Sequence, residues 1–233
     1  MDRLSKYILL FSILFLLFLI LPAFLWNNCK FNPLVSQGDM LDILTPLVLL
    51  PIYWLLFWYA SGERVRLAES LVFVLLAGIW AEGQGMHLSA NSIGRLLNEI
   101  THGDAYSLTG FYDELLSRHL WHLGIFGLAA LLVYVEWRQK PDEDRVSWVW
   151  VIPAGIIHGI TLFLIMIEGR TAPIGIFFTF VLVMVPLIYG RDRLKKEPLI
   201  SFFFISCLIA LFLIAGWCIY WGGCPEFSDV GII

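Results

Sequence analysis

His87, His119 and His122 are the residues of this chain best suited to hold a metal ion. His119 and His122 stand at i and i+3, neighbours on one helical face, while His87 shares a face with Gln84 and Asn91, three and four residues away. Three imidazoles and a water make a common zinc set, and a catalytic zinc keeps one position open. His158 is a candidate fourth ligand or proton carrier. Glu82 and Asp113 are candidate general bases, or partners that fix imidazole tautomers, with Gln84, Asn91 and Glu168 around them. In an ideal helix Glu82 points about 140° away from His87, so its role requires Gly83 and Gly85 to distort the turn. Zinc lowers the pKa of its bound water to about 7. The chemistry predicted is metal-dependent hydrolysis of an amide or ester in a lipid or lipid-linked substrate.

Two other classes stay open. In one, His87 and His158 ligate a haem from two helices of an electron-transfer protein. In the other, intramembrane Glu and His form the proton path of a transporter or relay. Plainer readings stand beside each residue. The HxxH spacing is not diagnostic, no HExxH occurs, and a membrane histidine also serves by bonding to a neighbouring helix. Asp113, Glu114 and Ser117 fit as helix caps, as do Asp39 and Asp42. Glu114 and Arg118 make an i, i+4 pair, Arg170 pairs with Glu168 or holds a lipid phosphate, and His102 beside Gly103-Asp104 reads as solvated.

The elements that must position these groups are apolar helices. At 59% hydrophobic and 15% charged, with a mean hydropathy of +0.81, the chain is far more apolar than a soluble domain. It reads as a polytopic, all-α integral membrane protein in contact with membrane lipid. No basic patch suits nucleic acid. Windows long enough to cross a bilayer fall near 7–26, 41–60, 68–90, 117–137, 147–167, 171–190 and 198–221, making residues 1–233 a single seven-helix domain. The first window exceeds a signal-peptide core, and LPAFLWNNCK offers no small-x-small cleavage site, so it reads as a retained helix. The long connection over 92–116 carries Ile93, Leu96, Leu97 and Ile100 as one apolar stripe, a surface helix poised as a lid.

Of the fifteen Lys and Arg, eleven fall on the side of the N-terminus and four on the other. The positive-inside rule then puts the N-terminus in the cytoplasm and the C-terminus outside, with Glu82, Gln84, His87, Asn91, His119 and His122 in the outer half of the bundle. Gly155 and Gly159 flank His158 at a spacing that lets helices approach closely, turning His158 toward protein. Cys29 and Cys224 follow the first and last helices on the outer side and are expected to pair. Cys207 and Cys218 read as packing residues within an apolar helix.

Seven helices with membrane-embedded His, Asp and Ser resemble the alkaline ceramidase and adiponectin receptor superfamily of zinc-dependent lipid amidases. That resemblance implies a zinc site to which His87 contributes. The chain departs from the family pattern at Gly83, where a Ser stands four residues before the first His, and on its last helix, which lacks an HxxxH pair.

Overall fold

The computed structural model describes residues 2–25, 27–30, 32–62, 65–97, 103–140 and 146–232. Among these, seven helical segments are long and apolar enough to cross a membrane. They are α1 (Asp2–Ile20), α2 (Gln37–Ser61), α3 (Leu67–Leu96), the continuous run of α4 (Asp104–Gly110), a π-helical segment (Phe111–Ser117) and α5 (Arg118–Trp137), then α6 (Trp148–Glu168), α7 (Ala172–Tyr189) and α8 (Pro198–Trp221). Large apolar side chains cover the outside, among them Phe177, Phe212, Tyr189 and Ile219. That surface is costly in water and suited to lipid.

Small residues set the closest helix contacts. A methyl group added at Gly83 would lie 2.6 Å from the backbone nitrogen of Trp121, and one at Gly124 would lie 2.6 Å from Cβ of Trp80. The two glycines thus let α3 and α5 touch backbone to backbone at two levels. Gly155 and Gly159 do the same for α6 against α8, where an added methyl would meet Ile205 and the Ser206 carbonyl. The core between the helices is mostly aromatic and aliphatic, with Trp80, Tyr53, Phe11, Phe15, Phe57, Phe126, Phe202 and Phe203 fully buried.

The end of the bundle that carries the N-terminus is tied by charge. Arg138 grips Glu69 with two contacts of 2.6 and 2.7 Å. The buried Glu136 carboxylate accepts from the backbone N–H groups of Leu199 (3.3 Å) and Ile200 (2.8 Å) at the start of α8. An anion there satisfies orphan donors and complements the helix dipole.

At the opposite end the boundaries differ from those read in the sequence. Helix α3 runs on to Leu96, and the fourth crossing begins at Asp104. The connection is therefore far shorter than 92–116. Ile93 and Leu96 are exposed side chains on the last turns of α3 and do not belong to a separate surface helix; Ile100 and His102 lie outside the described residues. At 1.5 Å per residue, α3 is about 45 Å long, against a hydrocarbon core of about 30 Å. Its polar side chains gather toward the Leu96 end, so the excess length falls there, beside α4 at the start of the fourth crossing. Asp113, Glu114 and Ser117 sit inside this long helix, so they do not cap it.

Candidate functional site

Where α2, α3, α5 and α6 end, they enclose a chamber of about 520 Å³. Its apolar wall comes from the end of α1 and the following 3-10 turn (Leu21–Phe24), joined by Leu164 and Ile165 of α6. Pro22 at the start of that turn suits its fixed φ. The turn is pressed onto α2 so closely that a methyl at Gly38 would lie 2.5 Å from the Pro22 carbonyl oxygen. Between them a short hairpin, β1 (Asn28–Cys29) with β2 (Asn32–Ser36), delivers Ser36 as the N-cap of α2.

The polar wall begins at that cap. Ser36 and Asp39 form a capping box: the Asp39 N–H donates to Ser36 Oγ at 3.0 Å, and the Ser36 N–H donates to Asp39 Oδ2 at 2.8 Å. The same carboxylate receives the Arg95 guanidinium, tying the start of α2 to the end of α3. One turn on, Asp42 accepts from Gln84 Nε2 at 3.3 Å. Gln84, His87, Asn91 and Arg95 follow one another at steps of three, four and four residues and so line a single face of α3. His87 Nδ1 lies 2.6 Å from Asp113 Oδ1 in the π segment, a contact in which the ring nitrogen donates to the carboxylate.

Across the chamber, Arg118 is fully committed. Its guanidinium meets Glu114 at 3.0 Å and Glu226 at 3.1 Å and also donates to the Glu168 carbonyl. Glu226 belongs to a C-terminal strap that folds back from α8 and also receives Arg170. Phe227 of the strap packs against Ile167 and Ala172, and its N–H donates to the Glu168 carboxylate at 3.3 Å. Arg170 therefore pairs with the strap, where the sequence pointed to Glu168. Phe227 and Ile232 close one side of the chamber.

The three histidines expected to share a metal serve three different partners. His87 holds Asp113. His119 is exposed, with Nδ1 turned to the Leu115 carbonyl at 2.6 Å. His122 is buried between the Arg118 carbonyl (2.8 Å) and the Ile165 carbonyl (3.2 Å), donating to one of them in its neutral form. Among the described residues no three His, Cys, Asp or Glu side chains come together in a metal-holding group. The i, i+3 spacing of His119 and His122 fails because each ring turns to the carbonyl four residues before its own. His158 is separated from all of them. It is buried with Phe11, Phe15, Phe202 and Phe203 packed around the ring, and neither nitrogen has a partner. It does not pair with His87 across a haem, since it belongs to the α1–α6–α8 core and not to the chamber. Glu82 stays on the exposed flank of α3 beside Val74, Leu75 and Leu120, because Gly83 keeps the helix regular and serves the contact with α5. Among the described residues no Glu–His contact links these positions.

The expected disulfide is also different. Cys218 bonds to Cys224, and Cys29 is free, its thiol directed at the Ser36 carbonyl at 3.4 Å. Helix α8 stops at Trp221, and Gly222, left-handed at φ 67°, turns the chain back so that Cys224 returns beside Cys218. The reading from sequence also passed over Asp42, Arg95, Arg118, Trp121 and Glu226 as site residues. One signal was present: Arg95 extends the Gln84–His87–Asn91 face by one more step of four.

Fold and site together define a seven-helix integral membrane protein with an amphipathic chamber at one end of its bundle. Residues 67–223, about two thirds of the chain, match the family model described as ceroid-lipofuscinosis neuronal protein 6 (CLN6), and the chain belongs to that family. No curated protein and no solved structure matches the chain. The family match overturns the resemblance to the alkaline ceramidase and adiponectin receptor superfamily. The expected zinc hydrolase falls with it, since the histidine placement offers no shared metal position among the described residues.

Proposed function

We propose that the chain is a membrane-embedded binding protein that takes an amphipathic molecule, membrane lipid among the candidates, into the chamber. The observation that carries this reading is the division of one cavity into two walls. Leu19, Ile20, Phe24 and Leu164 offer an apolar side, while Asp42, Gln84, His87 and Asn91 offer a polar one. A cavity of this size, mostly apolar with a few placed polar groups, is the usual form of a small-molecule site. Its level at the excess length of α3, beside α4, sets the polar wall at a membrane interface, where a headgroup lies. The split of basic residues supports placing that interface on the side away from the cytoplasm.

The test is displacement of a fluorescent single-chain amphiphile from the purified protein, with Leu164→Trp as the blocking variant. Wild-type protein should bind the probe saturably, and Leu164→Trp, which puts an indole into the apolar wall of the chamber, should weaken binding several-fold while leaving the elution profile of the folded protein unchanged. Equal binding by both proteins would overturn the reading.

A further inference from the structure

The charges of the chamber do not balance. Its two guanidiniums are already committed, Arg95 to Asp39 and Arg118 to Glu114 and Glu226. Asp42 and Glu168, by contrast, make no direct ion pair among the described residues, although His87 and Arg95 stand near the first and Arg118 near the second. Asp42 is held by the Gln84 amide, and Glu168 by a backbone N–H of the strap. Beside Asp42, the Gln84 side chain is only 5% exposed, and its carbonyl oxygen is buried without any hydrogen-bond partner. The Trp121 indole N–H, from another residue of the chamber wall, is also buried and unpaired. A carboxylate held in a partly enclosed cavity without an ion pair is costly unless a ligand supplies the charge. An unpaired buried acceptor beside one adds to that cost.

Resting on the chamber reading above, we propose that the bound amphiphile carries an ammonium head, with Asp42 as its counter-ion and the Gln84 carbonyl oxygen as a second acceptor. An alkylammonium has several N–H donors and no acceptor, so it satisfies both groups at once. A carboxylate or bare phosphate head would instead face two carboxylates with no free guanidinium to receive it. The same ammonium chemistry is offered by a phosphatidylethanolamine headgroup and by a single-chain amine.

The experiment uses the purified full chain in a non-ionic detergent and follows displacement of a neutral fluorescent amphiphile by hexadecylamine, hexadecanol and hexadecanoate. The amine should compete about tenfold more strongly than the alcohol, the scale of a charge-assisted hydrogen bond, and hexadecanoate should be weakest. Asp42→Asn should bring the amine down to the level of the alcohol measured on the same variant, and Asp42→Glu should restore part of the preference. Phosphatidylethanolamine in the detergent micelle supplies the second arm. Competition by it supports the ammonium head and assigns it to a phospholipid; amine preference without such competition supports a single-chain amine. Equal competition by amine and alcohol in wild-type protein would overturn the proposal whatever the variants do, and the chamber reading would still stand if Leu164→Trp weakened binding of both. Loss of that blocking effect would sink the chamber reading itself.

Discussion

Replacing Asp39 with Ala removes two side-chain interactions from the rim of the chamber at once and leaves the bond from its own backbone N–H to Ser36 Oγ. The residue is 3% exposed, closes the capping box of α2 and receives Arg95 from α3. Loss of the bond from the Ser36 N–H to its carboxylate costs about 0.5–1.5 kcal/mol, since Ser36 remains as the N-cap. A hydrogen bond to a charged group contributes about 1.5–3 kcal/mol, but the Arg95 side chain is 32% exposed, and solvent screening reduces this to about 1 kcal/mol. The expected total is about 1.5–2.5 kcal/mol, or a fall in Tm of about 3–10 °C for a chain of this size. Asp39→Asn keeps an oxygen for the Ser36 N–H and loses only the ion pair, so its fall should be about 2–4 °C. The assay is thermal unfolding of detergent-purified protein followed by tryptophan fluorescence. Combining Asp39→Asn with Arg95→Met should cost less than the sum of the two by at least about 0.5 kcal/mol, as partners in contact do. Equal losses for Ala and Asn, or strict additivity with Arg95→Met, would refute the assignment of the pair as a tie between α2 and α3.

Other regions give equally direct tests. Gly124→Ala should destabilise by about 1–3 kcal/mol through overpacking on Trp80, whereas Gly85→Ala, with open space around it, should be neutral or stabilise by about 0.5–1 kcal/mol; fluorescence-detected gel filtration after heating ranks the two, and the reverse order would contradict the α3–α5 contact. Maleimide treatment of denatured, unreduced protein should label peptides containing Cys29 and Cys207 and leave Cys218 and Cys224 unmodified. His158→Leu should hold or raise Tm, because it removes two unsatisfied nitrogens from an aromatic core; a fall of several degrees would mean that the imidazole has a partner. A reporter joined ahead of Met1 should be active only in the cytoplasm, and activity on the other face would reverse the side assigned to the chamber.

The parts of the fold readable in advance were those written in long apolar runs. All seven crossings are of that kind. The polar face of α3 was readable too, since Gln84, His87 and Asn91 repeat at helical spacing whether the helix ends or continues. The boundary after it was not: the stripe Ile93–Leu96 looks the same on a separate surface helix as on the projecting turns of α3. Cys218 was read as packing because nothing in an apolar run announces that the chain will turn back at Gly222. The metal expectation failed at a finer scale. Spacing places His119 and His122 near each other, but where each ring points depends on carbonyl acceptors that the sequence does not display. Asp42 was passed over because an acid at a helix start reads as a cap, and only the neighbouring Ser36–Asp39 box shows that the capping position is already taken.

The π-helical segment between α4 and α5 has a consequence for chain length. Such a segment holds an extra residue in the helical ladder, and its wider turn rotates the chain by about 85° per residue against about 100° in an α-helix. Its seven residues therefore turn about as far as six α-helical ones, and the extra residue is absorbed without swinging one flank against the other. Removing one exposed residue between Asp113 and Ser117, such as Leu115, should restore a regular ladder and leave both Asp113 on His87 and Arg118 on Glu226. Removing two would swing one flank by about 100° and break one of those contacts, so the stretch has room to lose one residue and no more.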